Sequence, residues 1–252
     1  MTGRVITDVN ADILAVIEVE DRPTLSRFND EMLNGTYEHV RLIEGNDTRG
    51  IDVGLMTKPG FEVESMQTHV DLEDNVGRIF SRDCAHYAVR TPSGPVLHVL
   101  VNHFKSQSGG GGTQRQRQAA AVRSIATELV DAGESVVVLG DLNEGPETAG
   151  EPPTNLATLF DPAGPLRSCY DLPGFDVGPR LGTFDSCGLS NRLDYIFISA
   201  DLPPRFRGGS VLRSGLWGSR KTRPTAWDVY PDITTGTQQA SDHSALSVRL
   251  NL

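Results

Sequence analysis

The sequence has few cysteines and no long apolar run. Its 252 residues include three cysteines, Cys84, Cys169 and Cys187, whose spacing fits neither a metal-binding cluster nor a disulfide framework. So sparse a set of thiols is compatible with a reducing compartment. No run of about 18 apolar residues is present, and we therefore expect no membrane span.

An excess of basic residues is also missing. Lys and Arg number 23 against 33 Asp and Glu, which gives a formal net charge of -10. A protein that coats nucleic acid through long-range attraction would be basic, so this composition argues against that class. Phosphate chemistry remains open, because a bound cation can supply positive charge locally.

Two common hydrolytic motifs are absent as well. The sequence contains no HExxH and no thiolate cluster, which argues against zinc, and no GxSxG nucleophile elbow. Activated water is therefore favoured over a covalent intermediate as the means of hydrolysis.

The most informative stretch is VVVLGDLN, from Val136 to Asn143. Its aliphatic part shows no polar alternation, which predicts a strand buried on both faces. Asp141 and Asn143 follow two residues apart, so both side chains should leave the strand on the same side. A capped strand followed by a turn explains the pattern equally well when it is taken alone.

The rest of the chain predicts a mixture of helices and strands. We expect a helix and then a strand within residues 4–20, a second helix from Pro23, and a third after the glycine-rich loop SQSGGGG. Short turns connect the strand-like segments 37–42, 52–57, 61–70, 86–91 and 96–104, so these strands should be antiparallel neighbours. Residues 203–240 are predicted to be a long irregular segment.

Polar residues recur where the apolar segments end. These are Glu18, His103, Asp141, Asn143, Asp194, Asp242 and His243. If these ends converge, the site holds oxygen ligands suited to Mg²⁺, Mn²⁺ or Ca²⁺, together with two histidines. Taken singly, Glu18 reads equally well as a solvated strand end and His103 as a hydrogen-bonded surface group.

Several arginines are candidates for binding a phosphate. Arg49 could pair with Asp52 or line a phosphate pocket, and Arg192 shares a face with Asp194. Arg115 and Arg117 fall in the first turn of the third helix, where they could hold an anion near His103 or remain exposed.

Five segments in this order resemble the endonuclease/exonuclease/phosphatase superfamily. They are DILAVIEVE, VNHFKS, VVLGDLN, RLDYIFIS and ASDHSAL, and the similarity runs through nearly the whole chain as a single domain of residues 1–252. Members include deoxyribonucleases, abasic-site endonucleases, sphingomyelinases and inositol-polyphosphate phosphatases. NHFKS followed by RQRQAAAV is most similar to bacterial nuclease-like members.

The resemblance implies an α/β (α+β) fold: a four-layered sandwich of two mixed, mostly antiparallel sheets packed face to face, with helices outside. It also implies roles for site residues. Glu18 would be the main ligand of Mg²⁺, with Asp242 a further ligand or orienting carboxylate. Asp141 would orient or deprotonate the attacking water.

For the remaining residues, the resemblance implies that Asn143 positions the water and the phosphate. His243, held by Asp194, would hydrogen-bond the phosphoryl oxygens. His103 would stabilise developing charge or assist the leaving group. In-line attack on a phosphodiester requires this kind of set: a base, a cation and donors aimed at nonbridging oxygens.

The start of the chain departs from the family pattern. Family members begin with a central strand carrying an Asn near the metal, whereas this sequence starts within the following helix. We therefore expect one sheet to lack an interior strand, with exposed edges. As given, the sequence favours a cytoplasmic protein, and a preceding signal peptide would make it secreted instead.

Three functions compete at this point. The first is a divalent-metal nuclease acting on DNA or RNA. The second is a phosphatase or a phosphodiesterase of lipid headgroups or inositol phosphates, and the third is a catalytically impaired binding module. Trp217, Trp227, Arg220, Lys221 and Arg223 could line a substrate groove, although loop packing explains the two tryptophans equally well.

Overall fold

The computed structural model describes residues 1–219 and 225–252, and these residues form three α-helices and fourteen strands. The helices are α1 (Thr2–Val9), α2 (Arg22–Met32) and α3 (Gly112–Asp131). The strands are β1 (Ile13–Val19), β2 (His39–Ile43), β3 (Asp52–Thr57), β4 (Glu62–Gln67), β5 (Glu73–Asp74), β6 (Gly77–Arg78), β7 (Cys84–Arg90), β8 (Val96–His103), β9 (Ser135–Asp141), β10 (Leu166–Ser168), β11 (Phe175–Asp176), β12 (Asp194–Ser199), β13 (Phe206–Leu212) and β14 (Ala245–Leu250). Arg220, Lys221 and Arg223 lie outside the described residues.

The largest sheet has six strands in the order β10-β12-β9-β8-β7-β4. Strands β8 and β9 are parallel, and the other neighbouring pairs are antiparallel. The parallel pair requires a crossover connection, which α3 provides. The predicted antiparallel pairing is found for β2 with β3 and for β7 with β8, but it is wrong for β3 and β4, which lie in different sheets. Strand β9 occupies an interior position.

The second sheet layer consists of two three-stranded parts, β1-β3-β2 and β11-β13-β14. Residues of β1 and β14 face each other across a cavity of about 330 Å³, which α1 also lines and to which β9 and β12 contribute.

Three hydrophobic clusters lie between the layers. One joins α3 to the six-stranded sheet, with Val122, Val136 and Val138 in it. The second lies between the two sheet layers and contains Val137 from the other face of β9. The third packs α1 and α2 on β1, β2 and β3. These contacts give a mixed α/β fold with helices packed on the sheets, consistent with a sandwich, and β9 is buried on both faces.

The prediction of an irregular segment over residues 203–240 is wrong for its first part, which forms β13. Pairing with β14 holds this strand in place, with a register shift between Phe206 and Gly209. The local pattern FRGGSVL is weak because two glycines interrupt it. Trp227 is buried against Cys187 and Leu216, and its Nε1 donates to the Leu216 carbonyl, so this tryptophan packs a loop. None of the described helices combines the length and the apolar character that crossing a bilayer requires.

Gly140 is required at the end of β9. Its φ is 134°, and a Cβ there would overlap the carbonyl oxygen of Asn102 on β8. We expect Gly140→Ala to lower the free energy of unfolding by about 2–4 kcal/mol, because both the backbone and its neighbour must shift. Urea unfolding followed by circular dichroism measures this loss.

Gly133 is the matched control for this substitution. It also has a positive φ, of 86°, but a Cβ added there would meet no other atom within 4 Å. Gly133→Ala should therefore cost only the backbone strain, about 1 kcal/mol. Equal losses in the two variants would contradict the close approach at Gly140.

Candidate active site

Three neighbouring strands place polar side chains in one row. In the sheet register His103 of β8 lies opposite Asp141 of β9, and Asp141 lies opposite Asp194 of β12. All three residues are buried. Strand pairing therefore brings together residues separated by up to 91 positions, counted from His103 to Asp194.

Asp141 and Asn143 form a tight local pair. The Asn143 backbone N–H donates to Asp141 Oδ1 at 2.8 Å, and its side-chain Nδ2 donates to Oδ2 at 2.9 Å. Nδ2 also lies 3.1 Å from the Phe104 carbonyl oxygen. Asn143 has a φ of 55°, which turns the chain back toward the carboxylate. Burial raises the pKa of Asp141, and the nearby Asp194 carboxylate raises it further.

Asp194 holds His243 and Thr183 together. His243 Nδ1 lies 2.8 Å from Asp194 Oδ2, and the Thr183 hydroxyl donates to the same oxygen at 2.5 Å. Burial lowers the pKa of His243, but the charges of Asp194, Asp141 and Asp242 and the hydrogen bond to Asp194 outweigh it and raise this pKa to about 9. His243 is consequently an imidazolium at neutral pH, and its Nδ1–H donates to Asp194.

His103 occupies a different electrostatic environment. Its side chain is 3% exposed, and its Nε2 lies 3.6 Å from Asp141 Oδ2 and 3.9 Å from Glu18 Oε1. Its Nδ1 is buried and has no hydrogen-bond partner among the described residues. Burial, followed by the positive charge of Arg82, lowers the pKa of His103 to about 3. The two histidines of the site thus differ in charge at neutral pH.

Glu18 reaches the site through a β-bulge. The pairing of β1 with β3 shifts register between Ile17 and Val19, and Glu18 between them has a φ of 57°. A bulge re-aims one side chain without ending the strand. The Glu18 side chain is 59% exposed and points into the same cavity as His103. Asp242 is exposed and lines this cavity too.

The site cavity has a volume of about 300 Å³. Two arginines, Arg49 and Arg82, line it beside the predicted acids and histidines. Asp47 contacts both, since its Oδ2 lies 3.1 Å from Arg49 Nη2 and 3.0 Å from Arg82 Nε. These contacts lower the pKa of Asp47 to about 2, with the hydrogen bond from Arg49 the largest cause. Arg49 pairs with Asp47, not with Asp52, which accepts from the Gly45 N–H instead.

Two predicted phosphate-binding arginines lie elsewhere. Arg115 is buried, and its Nε donates to Glu144 Oε2 at 2.6 Å. Arg192 donates to the Leu181 carbonyl, and its guanidinium carbon lies 4.4 Å from the centre of the Tyr170 ring. Neither lines the site cavity, because each is held elsewhere by protein groups. Arg117 pairs with Asp74 away from the cavity.

Sequence reasoning did not assign Arg82, Thr183 or Phe184 to the site. Arg82 precedes β7 and carries no local motif. Phe184 forms an isolated bridge with His243, and the two rings lie 4.8 Å apart. Thr183 and Phe184 belong to GTFDS, directly before the RLDYIFIS segment, and this proximity was the available signal.

The donor set suits a hard cation. No three His, Cys, Asp or Glu side chains in the described part of the chain are grouped closely enough to hold a metal ion by themselves. Mg²⁺ requires less than that, because it keeps several waters and binds through one or two carboxylates together with substrate phosphates. Glu18 and Asp242 offer two exposed carboxylates on this cavity, so these residues fit such an ion.

Comparison with known proteins identifies the family of the chain. A family model described as the Endonuclease/Exonuclease/phosphatase family matches residues 2–154, which is 153 of the 252 residues. The fold and the site define a phosphoric-ester hydrolase. The chain belongs to the Endonuclease/Exonuclease/phosphatase family.

Solved structures share the fold at low sequence identity. Truncated TDP2 from Caenorhabditis elegans has a TM-score of 0.63 at 17% identity, covering 97% of this chain and 86% of that one. The mannosyl-6-phosphatase of Bacteroides thetaiotaomicron has a TM-score of 0.68 at 16% identity, covering 99% and 89%. The human Nocturnin catalytic domain with bound sulfate has a TM-score of 0.64 at 16% identity, covering 97% and 83%. A search of curated proteins gave no match.

The pairing of His243 with Asp194 can be tested without any substrate. In Asp194→Asn, the charge that raises the pKa of His243 is removed while burial, which lowers it, remains. We expect this pKa to fall from about 9 to near or below the ordinary value of about 6.5. An NMR titration of the histidine ring protons in EDTA measures the change.

Asp201→Asn provides the control for this titration. Asp201 accepts hydrogen bonds from Ser135 and Ser199 at the opposite end of β12 and does not contact His243. The pKa of His243 should not move in this variant. A value that stays near 9 in Asp194→Asn would show that another group holds the proton.

Proposed function

We propose that the protein is a divalent-cation-dependent phosphodiester hydrolase that uses water as its nucleophile. The observation that carries this proposal is the juxtaposition of two pairs, Asp141 with Asn143 and Asp194 with His243, on one cavity. The first pair suits activation of water, and the second presents a charged donor. Both are required for hydrolysis without a covalent intermediate.

Asp141 is the proposed general base. Its raised pKa brings its basicity closer to neutral pH, where proton transfer from water is most effective. Asn143, bonded to both carboxylate oxygens, holds the carboxylate in one orientation and positions the attacking water and the phosphate. The water proton passes to Asp141 as the water oxygen attacks phosphorus, and the bond between phosphorus and the leaving ester oxygen breaks.

His243 and His103 act on the phosphate oxygens. Nδ1 of His243 is engaged with Asp194, so its Nε2–H donates to a nonbridging oxygen and stabilises the charge that develops there. His103 is neutral at physiological pH, since burial lowers its pKa. It stabilises developing charge or assists the leaving group as a neutral hydrogen-bonding group.

Glu18 and Asp242 are the proposed ligands of the cation. Mg²⁺ is the first candidate, and Mn²⁺ or Ca²⁺ would suit the same oxygen donors. When bound, the ion neutralises phosphate charge and stabilises the leaving oxygen. Arg49, at the rim of the cavity, is the proposed contact for a further phosphate oxygen.

Nucleic acid is the first substrate class that we propose. The resemblance of NHFKS and RQRQAAAV to nuclease-like family members supports it. A small phosphoric ester is the second, and one observation favours it: Asp47 offsets the charges of Arg49 and Arg82, the two arginines that line the cavity. A substrate with one phosphate needs less positive charge than a polyanion.

Plasmid cleavage tests the reaction and the first substrate class together. Supercoiled DNA is incubated with the purified chain and Mg²⁺ or Mn²⁺, and the same reaction is run with EDTA. We expect nicking that requires the metal. If the chain cleaves only nitrophenyl or small natural esters, the second class is correct, and if it cleaves neither, the alternative of a catalytically impaired binding module is favoured.

Substitutions at the site should separate its roles. We expect Asp141→Ala and His243→Ala to lower kcat by about 10²–10⁴-fold, because each removes an interaction made in the transition state. Glu18→Gln should raise the Mg²⁺ concentration needed for half-maximal activity. Rates measured across a Mg²⁺ titration give both quantities.

Glu20→Gln is the matched control for Glu18→Gln. Glu20 is an exposed glutamate directly after β1, two residues beyond the bulge that aims Glu18 at the cavity. Its replacement should leave the Mg²⁺ requirement unchanged. If Glu18→Gln and Glu20→Gln behaved alike, Glu18 would not be a ligand.

A further inference from the structure

Arg115 holds the loop of residues 105–111, which lies between β8 and α3, through hydrogen bonds to its backbone. The Arg115 Nη1 donates to the carbonyl oxygens of Lys105, Ser106 and Gly110, at distances of 3.1, 3.2 and 3.4 Å. One guanidinium nitrogen therefore ties both ends of the loop together. The Lys105 N–H adds a bond to Gln118 Oε1 at 2.9 Å.

Glu144 fixes Arg115 in turn. Its Oε2 accepts from Arg115 Nε at 2.6 Å, and its Oε1 accepts from the backbone N–H and the side-chain Nδ2 of Asn155, at 2.8 and 2.9 Å. Arg115 and Glu144 are both buried. We call the pair of Arg115 and Glu144 the clamp. Because Glu144 directly follows Asn143, the clamp connects the loop to the segment that carries the proposed base.

Glycines allow the base of the loop to close tightly. Gly111 has a φ of 91°, and a Cβ there would lie 2.7 Å from Lys105 Cγ. A Cβ at Gly112 would lie 2.9 Å from Asn155 Nδ2. A larger residue at either position would require the neighbouring side chain to move, and at Gly111 it would also be strained by the left-handed φ.

The tip of this loop faces the active-site cavity. Ser106, Gln107 and Ser108 line the cavity, and Gln107 and Ser108 are exposed. Their hydroxyl and amide groups both donate and accept hydrogen bonds but carry no charge. Phe184 is the aromatic residue among the described lining residues, and its ring already packs on His243. The cavity thus offers polar uncharged contacts where a nucleobase would need a free aromatic face.

We propose that the tip, with Gln107 as its main contact, binds a sugar hydroxyl adjacent to the scissile phosphate, and that Arg115 is the residue that positions it. This inference rests on the proposed function, since it concerns the same cavity. The hydroxyl could belong to a sugar phosphate or to the ribose of RNA. A pair of substrates that differ in the hydroxyl tests each source.

The first experiment compares Gln107→Ala with the wild type on matched substrates. The pairs are glucose 6-phosphate with its 4-deoxy analogue, and a ribodinucleotide with its deoxy counterpart. We expect the kcat/KM ratio within one pair to fall about five- to tenfold, the effect of losing one hydrogen bond to an uncharged group. The pair that responds identifies the source of the hydroxyl, and unchanged ratios in both pairs would overturn the proposal.

A binding measurement keeps the inference separate from the reaction. Calorimetry with EDTA-free protein and Ca²⁺ compares the affinity for glucose 6-phosphate and for a ribonucleoside monophosphate with that for inorganic phosphate. A preference for one ester that Gln107→Ala removes supports the inference even if no ester is hydrolysed, in which case the proposed function fails alone. Absence of any preference in the wild type overturns the inference even if hydrolysis is observed.

The positioning role of Arg115 is tested by substitutions in the clamp itself. Arg115→Met leaves Glu144 buried without its partner and should destabilise the fold, so Arg115→Met/Glu144→Gln is compared with it. In the double variant we expect stability to recover but amide exchange over residues 105–111 to stay faster than in the wild type. The substrate ratio should stay reduced as well.

Arg117→Met is the matched control for the clamp. Arg117 lies on the same turn of α3 and pairs with Asp74, but it does not contact the loop. Its replacement should alter neither amide exchange over residues 105–111 nor the substrate ratio. If the double variant regained the wild-type ratio together with its stability, Arg115 would have a structural role only.

Discussion

Two buried carboxylates, Asp141 and Asp194, lie opposite each other on neighbouring strands, and the site depends on how their charges are compensated. Like charges at such positions repel, and burial weakens the hydration that would stabilise them. The protonated His243 lies against Asp194 and offsets this repulsion, while Thr183 donates to the same oxygen. Asn143 donates to both oxygens of Asp141. The pairs are therefore mutually dependent, and the arrangement produces both a basic carboxylate and a cationic donor.

The backbone adopts uncommon conformations where it delivers these side chains. Glu18 and Asn143 have φ values of 57° and 55°, and Gly140 has one of 134°. Non-glycine residues rarely adopt a positive φ, because this conformation costs free energy. It persists only where the surrounding structure stabilises it. At Glu18 a bulge in β1 redirects the side chain, and at Asn143 two hydrogen bonds to Asp141 hold the turn. The hydrogen bonds and packing of the sheets therefore offset the backbone strain of the site.

Arginine has several distinct roles around this cavity. Arg49 is accessible and pairs with Asp47, whereas Arg82 is buried and donates to the Phe104 carbonyl, which Asn143 also contacts. Arg115 is a structural anchor below the loop of residues 105–111. A planar guanidinium with five donors can satisfy several carbonyls and a carboxylate at once, which lysine cannot do. Residue type alone thus does not distinguish an arginine that binds substrate from one that organises a loop.

Much of the fold was predictable from local patterns, because β9, α3 and the antiparallel strands follow from apolar runs, helix signals and turns. The strand ends that carry Glu18, His103, Asp141, Asn143, Asp194, Asp242 and His243 were predictable for the same reason. Six of these residues line one cavity, and the seventh, Asp194, is hydrogen-bonded to His243. Strand β13 was not predictable, because its pairing with β14 is non-local and its own pattern is weak.

Which charged groups meet was determined by the packing of the folded chain. Arg82 lines the site cavity, whereas Arg115 and Arg192 lie away from it. Residues distant in sequence hold these two arginines there: Glu144 pairs with Arg115, and Tyr170 lies against Arg192. The different charge states of the two histidines also arise from packing, since burial lowers the pKa of His103 while Asp194 raises that of His243. The order of residues determined the strands and the donors at their ends, whereas packing determined the charge each donor carries and the group it faces.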